Sequence, residues 1–88
     1  MKIHELKTAP KYFEEQLNGN KNFEVRLNDR DFQNDDILVL SEYEEGKYTG
    51  RQIYVQISYI LDCSEYCKED YVIMSTKHLK IENGLVKQ

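Results

Sequence analysis

The densest group of side chains able to do chemistry is Gly19-Asn20-Lys21-Asn22-Phe23-Glu24-Val25-Arg26, followed at once by Asn28-Asp29-Arg30-Asp31. Lys21 offers a point charge to a phosphate, Arg26 a planar fork for a phosphate or a face for a base, and Glu24 an acceptor for a base amino group. A cation, an acceptor and a fork suit a ligand that carries both a base and a phosphate. A plainer reading stands beside this one. If Phe23, Val25 and Leu27 face a core, Glu24 and Arg26 share the solvent face, and exposed pairs of that kind contribute about 0 to 1 kcal/mol. Gly19 is then a helix stop and Lys21 an ordinary surface lysine.

Other reactive residues are scattered. Cys63 and Cys67 are too few for a disulfide framework and read as free thiols. Their spacing is not that of a zinc ribbon, and a site built with His4 and His78 would need ligands from both termini and the middle, so neither metal nor cofactor is expected. His4, next to Ile3 on a strand, should face solvent. Asp35, Asp36, Glu42, Glu44 and Glu45 form an acidic side, read as solvated loop charge or as a face for a basic protein partner. No Gly-rich phosphate loop, Ser-His-Asp set or calcium-loop pattern occurs.

The elements that must position these residues are mostly strands. One Ala stands against fifteen Val, Ile and Thr and ten aromatics, a composition that suits pleated, half-buried chain. One helix is predicted over Pro10 to Asn18, with proline at its first position, Phe13 and Leu17 on one face and Asn18-Gly19 as a left-handed stop. Strands are predicted over Lys2 to Leu6, Asn22 to Leu27, Ile37 to Leu40 (apolar on both faces and central), Ile53 to Tyr59 and Tyr71 to Ser75. Phe23, Val25 and Leu27 fall on one face of their strand, the core face on the plainer reading, and Ile53, Val55, Ile57 and Tyr59 alternate along theirs, opposite Tyr54, Gln56 and Ser58. Phe32 anchors the turn from Asn28 to Asp35, Glu45-Gly46 makes a hairpin, and Asn83-Gly84 joins Leu79-Lys80-Ile81 to Leu85-Val86. Six or seven short strands in so short a chain suggest a strongly curved sheet closing into a small barrel, with the helix at one end.

The chain has 88 residues, enough for one small domain and a thin core, since seven of its apolar residues are tyrosines. No apolar run approaches the ~20 residues of a membrane span, and no signal-type stretch follows the start, so a cytoplasmic chain with no membrane partner is expected. The net charge of −4 argues against a protein that coats nucleic acid with its whole surface. Residues 31–70 hold ten acidic groups and three basic ones, whereas residues 1–30 hold five and six, so any polyanion site should be local and lie away from the middle.

The spacing G-x-K-x-x-E-x-R, filled by Gly19, Lys21, Glu24 and Arg26 just after a short helix, resembles the signature of ASCH domains, the small barrels related to PUA RNA-binding modules. Ile3-His4-Glu5-Leu6-Lys7, Asn28-Asp29-Arg30-Asp31-Phe32 and Tyr59-Ile60-Leu61-Asp62 are similar to stretches of small bacterial and phage ASCH-like proteins of unknown function. The resemblance covers residues 1–76 of a single domain, 1–88, leaving 77–88 as a C-terminal hairpin or tail. It implies a mainly β (α+β) PUA-like barrel with one short N-terminal helix. It also implies that RNA, a nucleotide or a nucleoside binds in a cleft holding Gly19, Lys21, Glu24, Arg26 and Arg30, without catalysis.

Two other function classes stay open. Some ASCH-like proteins are amidohydrolases on acetylated cytidine, using the motif lysine with a nearby threonine and a later glutamate. This sequence departs from that pattern, since Glu24 stands three after Lys21 while Thr8, Thr49 and Thr76 lie far along the chain. RNA cleavage, reported in the broader family, would use Lys21 and Glu24 with Ser41, Tyr43 or Tyr48. The last class is a protein-interaction module acting through the acidic middle. Turnover lost in Lys21→Ala would mark an enzyme, salt-sensitive binding without turnover an RNA module, and a partner lost on charge reversal at Glu44 and Glu45 an interaction module.

Overall fold

The computed structural model describes residues 1–62, 65, 68–82 and 85–87. Strand β1 (Ile3–Thr8) leads into helix α1 (Pro10–Leu17), then β2 (Phe23–Leu27), β3 (Ile37–Glu44), β4 (Lys47–Asp62), β5 (Tyr71–His78), β6 (Lys80–Glu82) and β7 (Leu85–Lys87). The first five strands form one sheet in the order β1-β3-β4-β5-β2, and β6 and β7 pair separately. β1 runs parallel to β3, and the other pairings in the sheet are antiparallel. The fold is therefore mainly β, a curled half-barrel with one short helix near its N-terminus. Asn83-Gly84, Cys63 and Cys67 lie outside the described residues.

The curl originates in β4. Residues 47–56 of this strand pair with β3 and residues 55–62 with β5, with a bulge between Ile57 and Tyr59. A bulge adds one residue to one side of a ladder, bending the strand and reversing which side chains face inward. Ile53, Val55 and Ile57 are buried as their alternation predicts, but beyond the bulge Tyr59 is exposed and Ile60 packs on the core instead. Leu38 and Leu40 of β3, Val72 and Met74 of β5 and Phe32 of the turn complete the centre.

The helix boundaries follow their local signals. Pro10 occupies the first turn, and Gly19 at φ +78° takes the left-handed conformation that ends the helix. The buried face differs from the expected one: Phe13 and Gln16 are buried, whereas Leu17 is half exposed. Phe13 enters the core while Arg51 stacks 4.7 Å over its ring. That guanidinium donates at 2.6 Å to Glu14 Oε1 on the helix and at 2.8 Å to Glu42 Oε2 on β3.

Three acidic or basic groups expected on the surface lie inside. His4 is 7% exposed, its Nε2 2.8 Å from Asp36 Oδ2 and its ring edge-on to Phe32, while its neighbour Ile3 faces solvent. Asp36 is buried rather than solvated: burial pushes its pKa up, but the backbone N–H of Lys2, the His4 ring and the backbone N–H of Gln33 outweigh this and hold it below 3.8. Glu42 is also buried, and hydrogen bonds from Arg51 and Thr49 pull its pKa down to about 2. In each case a polar partner brought alongside by the fold makes burial tolerable.

The barrel stops short of closing. β1 and β2 are the two edges of the sheet, and no ladder joins them. The gap is crossed by side chains: Arg26 Nη2 donates to Lys7 O at 3.0 Å, and Arg30 Nη1 donates to Glu5 O at 2.7 Å. Among the described residues, no helix is long and apolar enough to cross a membrane.

Candidate functional site

Strand β2 has the expected period of two with the opposite sense. Phe23, Val25 and Leu27 are 44–46% exposed, and Glu24 between them is 2% exposed. Burying a lone carboxylate costs several kcal/mol, so the strand can take this orientation only if partners converge on it. They do so from both sides of β2. After α1 ends, the backbone N–H groups of Asn20 and Lys21 both donate to Glu15 O at 3.0 Å, a turn that folds Lys21 back over the strand.

Lys21 Nζ donates to Glu24 Oε2 at 2.5 Å and to Phe23 O at 2.7 Å. Gln16 Nε2, on the buried face of the helix, reaches the same two acceptors at 2.9 and 3.1 Å. Glu24 Oε1 faces Arg26, whose Nε is at 3.0 Å and Nη2 at 2.9 Å. Both carboxylate oxygens are thus occupied, with two cations and one amide neutralising and orienting the group.

Above this ionic floor lies a cleft of about 770 Å³, within the usual range for small-ligand sites. Tyr12 and Phe23 line it, and Lys21 Nζ sits 5.8 Å from the Tyr12 ring centroid and 4.9 Å from that of Phe23, inside cation–π range. Lys7, Thr8 and Ala9 form the opposite side. A second hollow of about 310 Å³ adjoins the first, shares Val25 and Arg26 with it, and holds Asp29, Arg30 and Phe32.

Of the residues singled out from the sequence, Lys21, Glu24 and Arg26 meet at the first cleft and Arg30 lies in the second hollow. Gly19 lines neither; it sets the turn, and its carbonyl accepts from Asn22 Nδ2 at 2.8 Å. Ser41, Tyr43 and Tyr48 do not line the cleft: Ser41 Oγ donates to Glu5 Oε2, and the two tyrosines stack edge-to-face with each other. Thr8 does line it, its hydroxyl directed at Leu6 O, and among the described residues no serine or threonine hydroxyl is hydrogen-bonded to Lys21 or Glu24. Sequence reasoning missed Tyr12 and Gln16. The signal for Gln16 was its position three residues after Phe13 on the helix, which gives the two a common face.

Residues 3–76 match the family described as a domain of unknown function, DUF3850. A protein of Escherichia phage P2, the uncharacterized 12.9 kDa protein in the GpA 3′ region, is 41% identical over 73 residues. That match takes in 83% of this chain and 66% of the phage protein, so the chain spans just under two thirds of its relative. With the family match running from the first strand into β5, the chain belongs to the DUF3850 family.

Proposed function

We propose that the cleft between α1, β1 and β2 is an ASCH-type site that binds RNA, a nucleotide or a nucleoside without chemical conversion. The observation that carries this reading is the pairing of an ionic floor, Glu24 with Lys21 and Arg26, with aromatic walls from Tyr12 and Phe23. A planar heterocycle gains from stacking on aromatic side chains, and its polar edge finds donors on Lys21 and Arg26. The G-x-K-x-x-E-x-R spacing and its likeness to ASCH domains point the same way. Recognition is favoured over catalysis because Lys21 is engaged as a donor to Glu24 and Phe23 O, with no serine or threonine among the described residues bonded to it.

The test is a calorimetric titration of the four nucleosides and of short single-stranded RNA into wild type and Phe23→Ala, with chromatography of each mixture afterwards. Binding weakened in Phe23→Ala, with every probe recovered intact, is the expected result. Absence of binding by all probes, or conversion of any of them, would overturn the reading.

A further inference from the structure

The two hollows along β2 differ in how their cations are committed. In the first, Lys21 and the Nε and Nη2 atoms of Arg26 are already committed as donors to Glu24, Phe23 O and Lys7 O, and Lys7 Nζ lies 4.5 Å from the Tyr43 ring centroid. In the second, Arg30 makes one hydrogen bond among the described residues, to Glu5 O, and its side chain remains 44% exposed. Its ion-pair partner Asp29 is distant at 3.9 Å and 61% exposed, a contact that water screens. Arg26 lines both hollows, and no described residue accepts from its Nη1. A phosphate group thus finds an exposed, weakly paired guanidinium in the second hollow, at Arg30.

The shared wall makes the two hollows one trough along β2. From Phe23 to Leu27 that strand covers about 13 Å at ~3.3 Å per residue, more than a single nucleoside needs. The backbone adds polar groups along the way. Thr76 N–H donates to Asn22 O and Asn28 N–H to Asp70 O, so the even-numbered residues of β2 bond to β5. Val25 and Leu27 therefore direct their N–H and C=O groups to the open edge, where a second base could be read.

We infer that the trough takes single-stranded RNA of at least two nucleotides, with one base in the aromatic cleft and the phosphate linkage against Arg30 and the free Nη1 of Arg26. This rests on the reading that the cleft binds a nucleobase, and it adds the length of the ligand and the residue that holds its phosphate.

The experiment compares each nucleoside with its matched homodinucleoside monophosphate (ApA, CpC, GpG, UpU) on wild type, Arg30→Gln and Arg30→Lys, at two salt concentrations a factor of ten apart. On wild type the dinucleotide should bind at least tenfold tighter than its nucleoside. One phosphate contact on a single strand should cost about fivefold in affinity over that salt range, and nucleoside binding should not follow salt. Arg30→Gln should bring the dinucleotide close to the nucleoside's affinity and abolish its salt dependence, while Arg30→Lys, which keeps the charge, retains most of both. Thermal melts of the variants identify any that fail to fold, and Arg30→Lys keeps the test decisive if Arg30→Gln does. Nucleosides that bind as tightly as dinucleotides would overturn this inference and leave the cleft's function standing. A dinucleotide advantage indifferent to both variants would overturn the role of Arg30. Failure of every probe would overturn the underlying reading as well.

Discussion

Gln16 on α1 donates its side-chain amide to Glu24 Oε2 on β2 across 2.9 Å, joining helix and edge strand through a buried carboxylate. Lys21 and Arg26 depend on the same group for their positions. Removing one partner of a buried ionic cluster costs about 3–5 kcal/mol, because the others are left uncompensated. Glu24→Ala should lower the unfolding free energy by about 3 kcal/mol, the lower end, since Lys21 and Arg26 keep 17% and 28% of their side-chain exposure. Urea denaturation measures this directly; a loss under ~1 kcal/mol would place Glu24 among ordinary surface carboxylates.

Phe13 and Leu17 share a helix but not a role. Phe13 is 1% exposed and Leu17 50%. Phe13→Ala should cost about 3–5 kcal/mol through the cavity it opens, and Leu17→Ala within about 0.5 kcal/mol of nothing. Equal costs in parallel thermal melts would contradict the burial described for α1.

Acid should weaken the fold through Glu42 and Asp36. Both have pKa values lowered on folding, Glu42 from 4.5 to about 2, so the stability they confer is present above the unfolded-state value and disappears as pH falls through the folded one. The window for Glu42 is therefore pH 4.5 down to about 2. Arg51→Gln removes the first cause of the Glu42 shift, and its stability should fall less steeply over that window than wild type's in urea melts at stepped pH. An unchanged slope would show that Arg51 does not hold Glu42 ionised.

Stacking in the cleft should be visible in binding without loss of fold. Tyr12 and Phe23 are each about half exposed, so truncating either should barely alter thermal stability. Base–aromatic stacking is worth about 1–3 kcal/mol per base, so Tyr12→Ala or Phe23→Ala should weaken the best-bound nucleoside by about fivefold or more. Unchanged affinity in both variants would remove the aromatic walls from the recognition account.

The parts of the fold legible in the sequence were those decided locally. Pro10, Gly19 and Glu45-Gly46 mark their turns through backbone conformation alone, with Gly46 at φ +80°, and the alternation of β4 was readable as far as Ile57. The bulge after Ile57 leaves no compositional mark, so Tyr59 could not be separated from the residues before it. For β2 the period was right and the facing wrong, because an apolar-inward rule ignores partners supplied from elsewhere. Gln16, Lys21 and Arg26 all come within eight residues of Glu24, yet only the turn at Gly19 brings the first two over it. His4 and Asp36 pose the same problem at a separation of 32 residues. Lys21, Glu24 and Arg26 were legible as a group through spacing; their mutual satisfaction, and the aromatic contribution of Tyr12, depend on tertiary placement.

The arginine bridges across the open side set how this domain breathes. Hydrogen bonds to charged groups contribute about 1.5–3 kcal/mol each, less when solvent-exposed as here, so parting β1 from β2 costs a few kcal/mol, below the ~5–15 kcal/mol of global unfolding. The two edges form a zone of sub-global opening on a hydrogen-exchange timescale, while the β3-β4-β5 ladders stay protected until the whole domain unfolds. The amides of Val25 and Leu27, which face the open edge, should accordingly exchange early, and those of Leu38, Val55 and Ile73 last.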